Sequence, residues 1–188
     1  MATPWADERG LRDEALVEGA VADAVPADTK IAEVADLQYD GDAHAAALDL
    51  SLADGRFAPD LLEIAARRAV EAWAIAIDGD DAALLKVADK AAANAMLHPT
   101  PGRRLVVRGP EIEQITITGL DAAADPPTMS IEVKIKGRRY VENRNTAAVI
   151  SGSRSKEVEF TEHWTLALDG DESQPWRIVA VGEPVARA

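Results

Sequence analysis

Lys156-Glu157-Val158-Glu159-Phe160-Thr161-Glu162-His163-Trp164-Thr165-Leu166-Ala167-Leu168 repeats with a period of two. Successive strand side chains point to opposite faces, so this alternation predicts a half-buried β-strand. Val158, Phe160, Trp164, Leu166 and Leu168 fall on one face, and Glu157, Glu159, Thr161, His163 and Thr165 on the other. One acid, Glu162, interrupts the apolar row. A carboxylate in such a row costs free energy unless it is paired, hydrogen-bonded or wet. Glu162 is therefore either a site residue or one half of a structural pairing.

Working outward, the same period governs the C-terminal half. Glu111 to Leu120 predicts a strand with Ile115 and Ile117 on one face and Ile112, Gln114, Thr116 and Thr118 on the other. Thr128 to Val141 predicts a second, with Met129, Ile131, Val133 and Ile135 inward and Ser130, Glu132, Lys134 and Lys136 outward. Asn143 to Ser155 reads as a loop or a short strand (Ala147-Ala148-Val149-Ile150), and a last strand is expected at Trp176 to Val181. Lys134, Lys136, Arg138 and Arg139 are read along the outer face and end of the second strand, as a solvated face or as a docking edge for an acidic peptide.

The N-terminal half has helical periods instead. Pro59 to about Ile77 predicts the main helix, with Pro in the first turn and acids early. Leu62, Ala65, Ala69, Ala72, Trp73 and Ala76 form its apolar stripe, widened by Leu61, Ile64 and Val70. Asp78-Gly79-Asp80-Asp81 ends it and starts a second helix, which runs to Leu97 and stops at His98-Pro99. Residues 1–54 differ in composition and read as an acidic helical arm. Short helices are expected at Leu11 to Ala20, from Asp28 or Thr29 through Leu37, and at Ala43 to Leu52, with a turn at Tyr39-Asp40-Gly41-Asp42. Residues 55–188 then form one α+β domain. It is expected to be a curved antiparallel sheet of about four strands, with the helices on its concave face.

The totals restrict function. The 188 residues carry a formal charge of −13, with a sequence pI near 4.6. Phosphate backbones and anionic lipid heads attract cationic surfaces, so neither nucleic acid nor direct binding to an anionic membrane is expected. There is no cysteine and the three histidines lack ligand-like spacing, so no disulfide, metal or cofactor is expected. No apolar run approaches the ~20 residues of a membrane span, and no secretion signal is expected, since Met1 to Arg9 has no basic region followed by an apolar core. A cytoplasmic protein is expected, or a membrane-associated one if an anchor lies upstream.

With these elements in order, the chain resembles the Tim forty-four-like domain, the C-terminal domain of the anchoring subunit of the mitochondrial import motor, which has bacterial relatives. The resemblance rests on Phe160-Thr161-Glu162-His163-Trp164-Thr165-Leu166 and Trp176-Arg177-Ile178-Val179-Ala180-Val181. Val149-Ile150-Ser151-Gly152-Ser153, Phe57-Ala58-Pro59-Asp60-Leu61 and Ala69-Val70-Glu71-Ala72-Trp73 add to it. It covers about residues 55–183. It implies a nuclear-transport-factor-2-like, or cystatin-like, cone that often holds an apolar pocket. It also implies a non-enzymatic role in holding partner proteins, linked to membranes or protein translocation.

Two readings of Glu162 follow. As a structural acceptor it would take hydrogen bonds from Arg68, Arg177 or Trp73 and fix the sheet. As a pocket carboxylate with a raised pKa it would be the general acid/base of a small isomerase-like enzyme. His163 points to the opposite face and cannot join it in a dyad. His98 reads as a helix-end cap. Trp73 and Trp164 are expected to pack together or line the pocket mouth. The expected binding residues are thus Trp73, Phe160, Glu162, Trp164, Arg68 and Arg177. The expected partner is a protein or an apolar small molecule, and the open sheet face makes a homodimer the expected assembly.

Overall fold

A computed structural model describes residues 35–182. The helix expected at Leu11 to Ala20 lies outside them. Among the described residues the architecture is α+β: a mixed six-stranded sheet with four α-helices. It is built from β1 (Asp36–Tyr39), α1 (Ala43–Ser51), α2 (Pro59–Asp78), α3 (Ala82–Leu85), α4 (Lys90–Leu97), β2 (Arg103–Asp121), β3 (Thr128–Asn143), β4 (Val149–Gly152), β5 (Val158–Ala167) and β6 (Arg177–Val181). The sheet order is β1-β2-β3-β5-β6, with β4 on β3.

Two long strands, β2 and β3, form an antiparallel hairpin from Arg103↔Asn143 to Asp121↔Thr128. β5 pairs antiparallel with Thr128–Gly137 of β3, and β4 with the stretch from Tyr140 to Glu142. Because β2 occupies the other side of β3 along its whole length, β4 and β5 lie end to end on the same side. The inward row expected on β3 is buried: Met129, Ile131, Val133 and Ile135 are at most 1% exposed. On the opposite face Glu132 pairs with His163, and Lys136 with Glu159.

Four expectations are corrected. The sheet is neither four-stranded nor wholly antiparallel, because β1 pairs parallel with Gln114–Ile117 of β2. Leu37, expected at the end of a helix, and Tyr39, expected in a turn, both lie in β1. Tyr39 is pinned there by its hydroxyl, 3.1 Å from both Pro59 O and Glu63 Oε2 of α2. The second helix is broken, because Val87 to Asp89 serves as a backbone partner of β6. Asp89 N–H donates to Ile178 O at 2.9 Å, and Ile178 N–H to Val87 O at 2.8 Å. Ile112 is 6% exposed on the core face rather than outward. A register shift between Ile112 and Gln114 re-phases the strand, so that Ile112, Ile115 and Ile117 all face buried β3 residues. The expected helix at Ala43 to Leu52 is α1.

The core lies between α2 and one face of the sheet. Its apolar stripe buries Leu62, Ala65, Ala69, Trp73 and Ala76. Trp73 meets Trp164 of β5 with ring centroids 5.7 Å apart. Trp176 stacks edge-on against Phe57 at 5.6 Å, and its indole N–H donates to Arg56 O at 3.2 Å. Alanine dominates the helix side, so the indoles fill the volume that small side chains leave.

Candidate functional site

The core face of β3 and β5 has a dry end and a wet end. At the dry end Trp164, opposite Ile131, and Leu166, opposite Met129, are fully buried. Toward the wet end Glu162 stands opposite Val133, Phe160 opposite Ile135, and Val158 opposite Gly137. Beyond them comes Arg139, at the same parity as Ile135 and Gly137. It therefore belongs to the core-face row and not to the outer row of Lys134 and Lys136, which corrects the expectation. Its guanidinium lies over the Phe160 ring, 5.1 Å from the centroid, a cation–π distance.

Glu162 is half-buried and accepts no hydrogen bond from a described side chain or backbone group. Burial raises its pKa above the ordinary glutamate value, and the charges of Arg139 and His163 pull it back only in part. The expected donors are elsewhere. Arg68 Nη1 donates to Ser173 O at 3.1 Å, Arg177 lies 3.8 Å from Asp169, and Trp73 packs on Trp164. Trp164 Nε1 is buried and likewise has no partner among the described residues. Trp73, Phe160, Glu162 and Trp164 thus share the core face, while Arg68 and Arg177 do not join them.

Arg68 belongs to a surface groove of about 590 Å³ between the first half of α2 and the β5–β6 loop, lined by Arg56, Leu61, Ile64, Ala65, Arg68 and residues 170–175. Leu61 and Ile64, expected to widen the buried stripe, are instead 45% and 44% exposed. The helical period explains the difference. At 100° per residue, Leu61, Ile64, Arg68 and Ile75 fall within about 60° of one another, on the side away from Trp73. Their grouping with a charged Arg68 was the available signal that they form a second face. The opposite wall is a tight turn, in which Asp171 Oδ1 accepts from Ser173 N–H and Gln174 N–H at 2.9 Å each.

A second groove, about 520 Å³, lies beside α4 and includes Asp81, Leu85, Lys90, Asn94, Leu97 and His98. Here Asp81, Arg104 and His98 Nε2 are paired, while His98 Nδ1 is buried without a partner among the described residues. Asp81 accepts from Arg104 at 2.9 Å and lies 3.0 Å from His98 Nε2. Arg104 also donates to Ala76 O and Gly79 O, closing the end of α2. His98 is the C-cap of α4, as expected, with its backbone N–H donating to Asn94 O at 2.7 Å, and its ring also holds Asp81. Burial disfavours the Asp81 charge, but hydrogen bonds from His98 and Arg104 outweigh it and hold the carboxyl below its usual range. Neither groove includes Glu162.

Among the described residues no group of three or more His, Asp or Glu side chains is placed to hold a metal, and no helix is long and apolar enough to cross a membrane. Compared with family models and with curated proteins, the chain matches none.

Proposed function

We propose that this chain is a non-catalytic binding domain of the Tim forty-four-like type, built on a nuclear-transport-factor-2-like cone, and that it holds a protein partner or an apolar ligand beside the cone rather than inside it. One observation carries this reading. The core face is filled by Trp73, Trp164 and their neighbours, while the groove along α2 exposes Leu61 and Ile64 under a rigid turn. Exposed apolar side chains grouped in a concavity and rimmed by charge are the usual anatomy of a contact site. Phe160, Glu162 and Trp164 sharing a face, and Trp176 packing against Phe57 just before α2, are compatible with the resemblance.

The test is binding of a fluorescent apolar probe, anilinonaphthalene sulfonate, to the folded protein. Leu61→Asp with Ile64→Asp is expected to cut probe binding more than fivefold while the thermal midpoint moves by no more than a few degrees, since both residues are exposed. Undiminished probe binding would contradict the groove assignment.

A second reading has an observation of its own. Glu162 combines a raised pKa with the lack of any fixed donor, as a general acid/base in a pocket would. Under that reading Glu162→Gln leaves the fold intact and abolishes a proton-transfer activity. Under the binding reading it leaves ligand affinity unchanged.

A further inference from the structure

The sheet has edges that are treated differently. β6 is covered by Val87 to Asp89, which hydrogen-bonds to Ile178 on both sides. β4 is covered by nothing among the described residues: its one strand partner is β3, and all four of its residues are exposed. Val149 and Ile150 are 40% and 42% exposed. The edge continues into β5, where β6 pairs only from Trp164 to Ala167 and leaves Val158 to Glu162 without a second strand. An uncovered edge presents a row of N–H and C=O groups to any extended chain.

This edge is also the basic pole of an acidic protein. Arg103, Arg138, Arg139, Arg144, Arg154 and Lys156 are all exposed there. Pairing of Arg103 with Asn143, Arg108 with Arg138, and Gly152 with Tyr140 places their segments together. Arg144 precedes β4 and Arg154 follows it. Of the acids there, Glu142 lies 3.5 Å from Arg154 Nη2 and Glu157 3.4 Å from Lys136 Nζ, while Glu159 and Glu162 belong to the β5 stretch. Arg103, Arg138 and Arg144 form no ion pair with another described residue. Arg138 projects on the outer face and Arg139 on the core face, so cations flank both sides of the edge.

We infer that the β4 edge takes an extended segment of a partner protein as an added strand, and that this segment alternates apolar and acidic residues. Main-chain hydrogen bonds to β4 supply affinity, the exposed aliphatic side chain of β4 on the face of the apolar row adds contact, and the flanking arginines select acids and speed encounter. The same cations could attract nucleic acid, but the edge offers paired-strand hydrogen bonding and aliphatic side chains, with no exposed aromatic platform for stacking bases. This surface is separate from the α2 groove and stands or falls independently of it.

The test uses the full chain and an amidated heptapeptide of alternating valine and glutamate, labelled for fluorescence anisotropy. Saturable binding is expected, weakened at least tenfold by Arg138→Glu with Arg144→Glu, and equally by Ile150→Pro. A peptide of alternating valine and lysine is expected not to bind. Circular dichroism of each variant checks the fold, and all three positions are exposed. A peptide N-methylated at alternate residues is expected to lose affinity at least tenfold, because it cannot form the ladder. Undiminished binding of that peptide, or equal displacement by heparin, would reduce the site to an unspecific anion attraction and overturn the inference. So would a homodimer, sealed through this edge, that the peptide does not dissociate.

Discussion

Asp81 and Glu162 are both carboxylates at the margin of the apolar core, and they meet opposite surroundings. Asp81 sits where three elements converge and takes Arg104 and His98 at 2.9 and 3.0 Å. Its pKa falls although burial opposes the charge. Glu162 sits on a strand face among Val133, Phe160 and Trp164, takes no hydrogen bond, and its pKa rises. The difference teaches what each polar group is for. Asp81 belongs to a network that ends α2 and orients α4. Glu162 contributes no such bond, so its retention on the core face is not explained by stability.

The strongest way to break the comparison is to disturb the core that holds both groups. Trp73→Ala is expected to cost about 3–5 kcal/mol in denaturant unfolding, the range for deleting a buried indole. It also opens the face on which Glu162 sits. The carboxyl pKa, followed by carbon-13 NMR, should then move down toward the ordinary glutamate value. A loss below about 1 kcal/mol would mean that the Trp73–Trp164 contact is not the centre of packing.

Next comes the satisfied site. Arg104→Met removes a cation that donates to Asp81 and to two carbonyls at the end of α2. The expected loss is about 2–3 kcal/mol, because charged hydrogen bonds are lost and Asp81 keeps only His98. The pH dependence has a definite sign. The folded carboxyl of Asp81 lies below its unfolded value of 3.8, so its contribution is fully present above that value and disappears as pH falls through the folded pKa. Replacing Asp81 with Asn should therefore flatten the acid limb of the stability curve.

Much of this contrast was legible in the sequence, and the rest fails for physical reasons. Alternation located β3 and β5 and put Glu162 on the core face, because a strand of period two leaves no other side for it. The main helix and its Trp73 stripe were equally readable. The partners of Glu162 were not, since Arg68 and Arg177 approach it only if the helix and the last strand meet at its level. The fold instead spends Arg68 on the β5–β6 turn. Arg139 could have been found by parity from Ile135, but was misplaced by grouping it with the basic residues around it. The break at Val87 to Asp89 has one local signal, Asp89, whose carboxylate caps α4 by accepting from Ala92 N–H at 2.7 Å; the rest of it is imposed by pairing with Ile178. The parallel strand β1 is likewise a tertiary choice: Asp36 to Tyr39 is too short and too polar to declare itself.

The smallest effect bears most directly on the central claim, that Glu162 is a half-buried carboxylate without a structural partner. The measurement is the unfolding free energy of the parent protein and of Glu162→Gln as a function of pH. The folded pKa of Glu162 lies above its unfolded value of 4.5, so between the two the native state binds more protons and stability falls as pH rises. Glu162→Gln removes that penalty. It is expected to be as stable as the parent or more stable at pH 7, by less than about 1 kcal/mol because the group is partly wet. The difference should shrink to nothing as pH falls toward 4.5. A Gln variant clearly less stable than the parent at pH 7 would contradict the account and restore Glu162 as a hydrogen-bond acceptor that fixes the sheet.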